Sequence, residues 1–295
     1  MNEFLFIRKE CGWADAVFYI LYKVKLKIKS TPFFVKLGLN QTARIEKIYD
    51  ALAFKTNPLV DKNGKQYIRK ELLNKQNGFV KLRLYSSDSK VFEQIFIHEQ
   101  YRTVVEIYKQ LFSCEPKHIF DCGANIGLTT IYLSSYFPSA WYTLVEPFKG
   151  NLNMIRENLG INGIRNYKLL EGGVWNKSST LNINRNYGDG KEWAISLTES
   201  SSPEETVTAY SLLDLLNAVK SDIDILKIDV EGAEKILFED LNYAAAFLNI
   251  VKCVAIEIHD EPGVRKRIYD AFTVNNFFYY NNGELTIAIN KSLIK

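Results

Sequence analysis

Between residues 117 and 274 two rhythms alternate along the chain. Short apolar runs at 117–122, 141–146, 167–171, 224–230 and 252–258 read as buried strands. Each is followed by a stretch with apolar residues three or four apart. These stretches predict helices at about 126–137, 149–159, 211–219, 232–241 and 264–274. Such alternation builds a parallel sheet with right-handed crossovers. The last stretch, "FFYYNNGELTIAIN", reads as two strands around an Asn-Asn-Gly turn and brings one antiparallel strand into that sheet. "LNINRNYGDGKEWAISL" reads as a hairpin excursion from it.

Upstream the pattern differs. "DSKVFEQIFIHEQYRTVVEIYKQLF" (88–112) has the spacing of one long amphipathic helix, with Ser87 or Asp88 as its N-cap. "GFVKLRLYS" alternates like a strand. "YKVKLKIKS" (22–30) alternates lysine with apolar residues, as an edge strand or the basic end of a helix. Pro116 ends the helical pattern. The expected organisation is therefore a basic extension over 1–78, a strand and helix over 79–115, and an α/β core over 116–295.

Charge sharpens this division. Residues 1–115 carry 20 Lys and Arg against 12 Asp and Glu, whereas residues 116–295 carry 17 against 22. The whole chain is at only +3, so a general nucleic-acid binder is not expected, and no RNA-recognition module is visible. A hydrophobic share of 47% excludes a disordered chain. The longest apolar run, "ADAVFYILY", falls short of the roughly 18 residues of a membrane span. No secretory signal is visible. Four scattered cysteines without a C-x-x-C pair suit reduced thiols rather than disulfides or zinc.

The candidate chemistry starts where the first core strand ends, in "FDCGANIGLTTIYL". Gly123 and Gly127 permit unusual dihedrals and close backbone approach, and the helix behind them offers free N–H groups. Open α/β sheets bind ligands at this place. Glu146 ends the next strand 19 residues beyond Gly127, where an acid can take a ribose diol. A dinucleotide site is the rival reading, but "GANIGL" lacks G-x-G-x-x-G, with Asn125 in the second glycine's place. Asp121 repels phosphate and suits an ammonium group. A nucleoside joined to an amino acid, S-adenosylmethionine, fits better than a dinucleotide.

"FDCGANIGLTTIYL", "VEP", "ILKIDVEGAEKILFEDL" and "VAIEIHDE" together resemble the FkbM-type class I methyltransferases, over roughly residues 79 to 290. The resemblance implies a Rossmann-like sheet of seven strands with the last hairpin strand antiparallel, preceded by an α-rich or α+β extension. It implies that Asp121, Gly123, Asn125 and Gly127 hold the methionine half of the cofactor. Glu146 would take the ribose, Gly173 and Val174 would flank the adenine, and Asp229 would stand near the sulfonium. It also implies O-methylation of a sugar hydroxyl, in a bacterial cell-surface glycan or a glycosylated metabolite.

A hydroxyl must lose its proton during transfer, so a base is needed at the strand exits. His259, Asp229, Glu231 and Glu257 all stand there; His259, which titrates nearest neutrality when unperturbed, is the expected base, with Asp229 orienting it or binding a metal. Asp229, Glu257 and His259 form a second option, as ligands of Mg²⁺. "DVEG" replaces the Asn/Asp-Pro-Pro-aromatic motif expected of enzymes that methylate exocyclic amines. Trp193 is placed to stack on a sugar face. The basic N-terminal region suits an acceptor linked to a lipid diphosphate, with at most peripheral membrane contact, in the cytoplasm or at the inner membrane face. Two other readings remain open: a methyltransferase-like binding module without catalysis, and a nicotinamide oxidoreductase.

Overall fold

The computed structural model describes residues 13–14, 16–18, 59–60, 66–72, 78–84, 86–184, 196–198, 206–259 and 263–294. The chain separates into two compact units, residues 1–70 with 81–89 and residues 71–80 with 90–295. The segment 90–115, read from sequence as a lead-in, belongs to the same unit as the core.

β1 (Leu59–Val60), β2 (Gln66–Glu71) and β3 (Phe79–Arg83) make a small sheet in that order. The long helix expected over 88–112 is broken. It consists of α1 (Asp88–Phe92), a wide π turn over Glu93–Ile97, and α2 (Arg102–Leu111). Between them Glu99 takes a left-handed φ of 50°. "IHEQY" supplies too little apolar surface on the buried face to carry one helix through. α2 lays Val104, Val105 and Tyr108 against the core.

The core elements follow in order: β4 (His118–Cys122), α3 (Leu128–Ser134), β5 (Trp141–Glu146), α4 (Lys149–Ile161), β6 (Tyr167–Glu171). Next come β7 (Gly173–Trp175), β8 (Ser179–Asn184), β9 (Ser196–Thr198) and β10 (Thr206–Ser211). Then come α5 (Leu212–Asn217), β11 (Ile223–Ile228), α6 (Glu234–Leu237), α7 (Leu241–Leu248) and β12 (Val251–Glu257). α8 (Val264–Val274), β13 (Phe277–Asn282) and β14 (Leu285–Asn290) close the unit.

The main sheet has seven strands in the order β13-β14-β12-β11-β4-β5-β6. β6, β5, β4, β11 and β12 run parallel, and β14 runs antiparallel to both β12 and β13. This is the Rossmann-like arrangement expected from the strand–helix rhythm and the final hairpin. β11 is buried at all six positions because helices cover both faces of a central parallel strand. The hairpin expected in the excursion is present as β8 and β9, and it belongs to a second sheet of order β7-β10-β8-β9. β10 was not anticipated.

At the strand-start end of the main sheet, Asp224 ties three elements together. It accepts from Tyr108 Oη at 2.6 Å, Lys117 N at 2.7 Å, His118 N at 2.9 Å and Lys252 Nζ at 2.7 Å. Burial opposes its charge, yet these donors hold its pKa below the ordinary value. The opposite, strand-exit end holds the polar residues singled out above. Among the described residues no helix is long and apolar enough to cross a membrane. Cys114, Cys122 and Cys253 are free thiols.

Candidate functional site

The turn leaving β4 contains three left-handed residues in five: Gly123 (φ 78°), Asn125 (φ 49°) and Gly127 (φ 84°). Gly123 is required by its neighbour, whatever the pocket holds. A Cβ there would overlap the carbonyl oxygen of Asp229 at the exit of β11. The turn is pinned from the other side, where Gly123 N and Ala124 N donate to Val145 O at 2.9 and 3.1 Å. Gly127 is needed for its φ as the residue that opens α3. An added Cβ would meet only ordinary contacts with Ile155, and Gly127 is not on the pocket wall. Of the two glycines expected to admit a ligand, Gly123 lines the pocket and Gly127 does not.

Gly123, Ala124 and Asn125 line a pocket at the strand exits, together with Glu146, Gly173, Val174, Asp229, Glu231 and Glu257. Most residues expected to contact a cofactor or acceptor are thus brought to one wall. Asp121, Gly127 and His259 are not on it. Trp193 and the basic stretch 22–30 lie outside the described residues.

Glu146 is buried, and its carboxylate organises the turn. Oε2 accepts from Asn125 N at 2.8 Å; Oε1 accepts from Phe148 N at 3.0 Å and Asn151 Nδ2 at 3.1 Å. Burial pushes its pKa up to about 7 despite these three donors. Three of roughly four lone-pair directions are occupied, so one is left for an external hydroxyl. Glu146→Ala removes that acceptor and loosens Asn125 at the same time. We expect at least about tenfold weaker binding of S-adenosylhomocysteine by calorimetry, since hydrogen bonds to charged groups contribute about 1.5–3 kcal/mol. Unchanged affinity in a folded variant would refute the role.

At the exit of β11, "DVEGAE" folds around one side chain. Glu234 is fully buried, with Oε1 accepting from Val230 N at 3.1 Å and Oε2 from Gly232 N at 2.8 Å. The turn requires left-handed backbone at Glu231 (φ 49°) and Gly232 (φ 93°). Glu234 also meets His259 Nδ1 at 2.9 Å, and Glu231 Oε2 lies 3.3 Å from His259 Nε2. Both ring nitrogens of His259 therefore face carboxylates. Burial disfavours the imidazolium, but Glu234 first and then Glu231 and Asp229 outweigh it and push the pKa up to about 10. These carboxylates favour the imidazolium, so His259 stands there as a proton donor more readily than as the expected base, and it is not on the pocket wall.

Glu257, at the end of β12, differs from the other acids on the wall. Asp229 Oδ2 is 3.4 Å from Lys227 Nζ, and Glu231 is paired with His259. Glu257 has no hydrogen bond or ion pair among the described residues. Burial, then the charge of Asp229, raises its pKa to about 7. Burial raises Glu231 to about 8 although His259 pulls it down.

Lys227 was not anticipated. It is buried on the pocket wall, donates to Gly123 O and lies 3.3 Å from Asp121 Oδ1. Burial works against its charge, but Asp229 and Asp121 hold its pKa well above the ordinary value. Asp121 is fully buried and its other oxygen accepts from Thr130 Oγ1 at 2.7 Å. It therefore supports Lys227 and α3 rather than reaching the pocket for an ammonium group. Val91, Gln94, Ile95, Gln100 and Tyr101 complete the wall from the broken helix.

Asp229, Glu231 and His259 each present one ligand atom within 4.8 Å of the others. Glu231 thus takes the place expected for Glu257 in such a set. The donors do not suit Mg²⁺, which prefers oxygen ligands in near-octahedral geometry. A metal on His259 would also displace a firmly held proton and the Glu231 contact. Activity is accordingly expected to survive EDTA and not to rise with added Mg²⁺; a Mg²⁺-restorable loss would contradict this.

The family model of the methyltransferase FkbM domain matches residues 121–280, more than half of the chain. The chain belongs to the FkbM methyltransferase-domain family. The match runs from the β4 exit to β13 and contains the glycine turn, Glu146, "DVEGAE" and Glu257. "Methyltransferase 1" of Beauveria bassiana is 21% identical over 200 residues, covering 61% of this chain and 79% of the relative. "Methyltransferase sdnD" of Sordaria araneosa is 26% identical over 203 residues, covering 55% of this chain and 77% of its own. The crystal structure of methyltransferase FkbM from Methylobacillus flagellatus superposes with a TM-score of 0.42 at 12% identity, over 63% of this chain. This chain spans 50% of the length of that protein. Membership in the family makes the protein a methyltransferase.

Proposed function

We propose that this methyltransferase uses S-adenosylmethionine to methylate a hydroxyl oxygen, with Glu257 accepting the hydroxyl proton. The observation carrying this reading is Glu257, a carboxylate without a hydrogen bond or ion pair among the described residues and with a pKa near neutrality, on the same wall as Glu146 and the glycine turn. A general base works best when its pKa lies near the working pH. S-Adenosylmethionine supplies an intrinsically activated methyl group. The chain's own tasks are to bind the ribose through Glu146, line the adenine with Gly173 and Val174, align the acceptor and take its proton.

The acceptor we propose is a sugar hydroxyl of a glycan or glycosylated metabolite, met in the cytoplasm or at the inner membrane face. Its support is the resemblance drawn from sequence and the absence of the Asn/Asp-Pro-Pro-aromatic motif at the β11 exit, which disfavours amine methylation of bases. The excess of lysine and arginine before residue 116 favours an acceptor that carries phosphate. A non-catalytic binding module is less consistent with a carboxylate of near-neutral pKa at the pocket. The test supplies methyl-labelled S-adenosylmethionine with free, nucleotide-linked and lipid-diphosphate-linked sugars, and reads products by NMR. A labelled methyl ether supports the reading. Label on nitrogen, or cofactor binding with no transfer to any hydroxyl, contradicts it.

A further inference from the structure

The charges at the strand exits are arranged in two similar triads. Lys227 lies 3.3 Å from Asp121 and 3.4 Å from Asp229. His259 lies 2.9 Å from Glu234 and 3.3 Å from Glu231. In each triad one acid is fully buried, Asp121 or Glu234, and the other, Asp229 or Glu231, is on the pocket wall. The buried acids already balance the two cations charge for charge. Asp229 is therefore surplus, as is Glu231 once it ionises, and Glu257 stands beside them with no hydrogen bond or ion pair among the described residues. Lys227 is the one cationic side chain among the described residues of the wall.

Surplus charge in a partly buried wall is costly until a cation arrives. The raised pKa values of Glu231 and Glu257 show that cost. The remaining titratable groups nearby do not relieve it. Tyr101, raised by burial, stays neutral, and Glu284 adds negative charge near Glu257.

We propose that the wall formed by Asp229, Glu231 and Glu257 makes the pocket selective for the sulfonium of S-adenosylmethionine over the uncharged thioether of S-adenosylhomocysteine. The inference rests on the cofactor reading above and adds to it how the product leaves. In the transfer, the methyl carbon bonds to the acceptor oxygen, the former carbon–sulfur bonding pair stays on sulfur, and the hydroxyl proton goes to Glu257. The nucleoside thereby loses its positive charge while the wall loses one negative charge. The uncharged product no longer matches the acids left without a cation, and is held less tightly than the substrate.

Calorimetry on the full chain tests this with three ligands: S-adenosylmethionine, S-adenosylhomocysteine and sinefungin, whose amino group places a positive charge near the sulfonium position. The two cationic ligands are expected to bind about tenfold or more tightly than S-adenosylhomocysteine. The gap is expected to widen with pH as Glu257 and Glu231 ionise, and to narrow in Glu231→Gln and Glu257→Gln. Equal affinities in the unaltered protein would overturn the inference and leave the cofactor reading standing. A gap untouched by both substitutions would overturn it too. Saturable Mg²⁺ binding that abolishes the gap would assign the surplus charge to a metal instead. Failure of all three ligands to bind would overturn the cofactor reading itself.

Discussion

Gly123→Ala should cost about 2–5 kcal/mol of stability, a large part of the 5–15 kcal/mol typical of a domain. Two effects add. An alanine at φ 78° is strained by about 1–2 kcal/mol. Its Cβ would also overlap the carbonyl oxygen of Asp229, so β4 and β11 must part where the sheet opens into the pocket. Forced displacement of packed groups costs about 1–3 kcal/mol more. Denaturant unfolding measures the loss, and Gly160→Ala provides the control. Gly160 lies in α4, has no left-handed φ, and an added Cβ would meet nothing within 4 Å. That substitution should be neutral or stabilising by up to about 1 kcal/mol. Equal effects at both positions would show that the β4 turn does not depend on the approach to Asp229.

Glu257→Gln should lower kcat by about 10²–10⁴-fold, the usual range for loss of a positioned base. The amide keeps nearly the same shape but cannot take a proton. Among the described residues Glu257 has no hydrogen-bond partner to leave stranded, so the fold should survive. His259→Ala tests the competing assignment. His259 is held as a cation between Glu231 and Glu234, so its removal should act through those acids and their turn, not through loss of a proton acceptor. Near-complete activity in Glu257→Gln, with collapse in His259→Ala rescued by raising the pH, would restore the histidine to the role of base.

The fold was legible where one local rhythm decided it. The strands at 141–146 and 167–171, and the helix at 264–274, stand within the limits that their apolar spacing implied. The spacing over 88–112 predicts one helix because its apolar positions continue on either side of "IHEQY", and the left-handed Glu99 interrupts it. β10 is not evident from the apolar rhythm although Val207, Ala209 and Ser211 are buried with period two. It was masked by the helix that begins one residue later.

The site was legible in its backbone and not in its charges. Gly123 and Glu146 sit in a local motif whose spacing points to a strand-exit pocket. The state of His259 depends on Glu231 and Glu234, which reach it only through the turn at Gly232. A single histidine after a strand carries no sign of two carboxylates arriving from 25 and 28 residues away in the chain. Lys227 was hidden for a similar reason. Within "ILKID" it reads as one polar position in a buried strand, and only the pairing of β11 with β4 sets it beside Asp121.

The pH dependence of methyl transfer tests the central claim most directly. Glu257 must be ionised to accept a proton, so activity must rise with pH through its pKa. In single-turnover measurements the log of the rate should climb with unit slope at low pH and level off near about pH 7. In Glu257→Gln that inflection should disappear and leave a slow residual rate. A profile with the same inflection in both proteins would contradict the assignment of Glu257 as the proton acceptor.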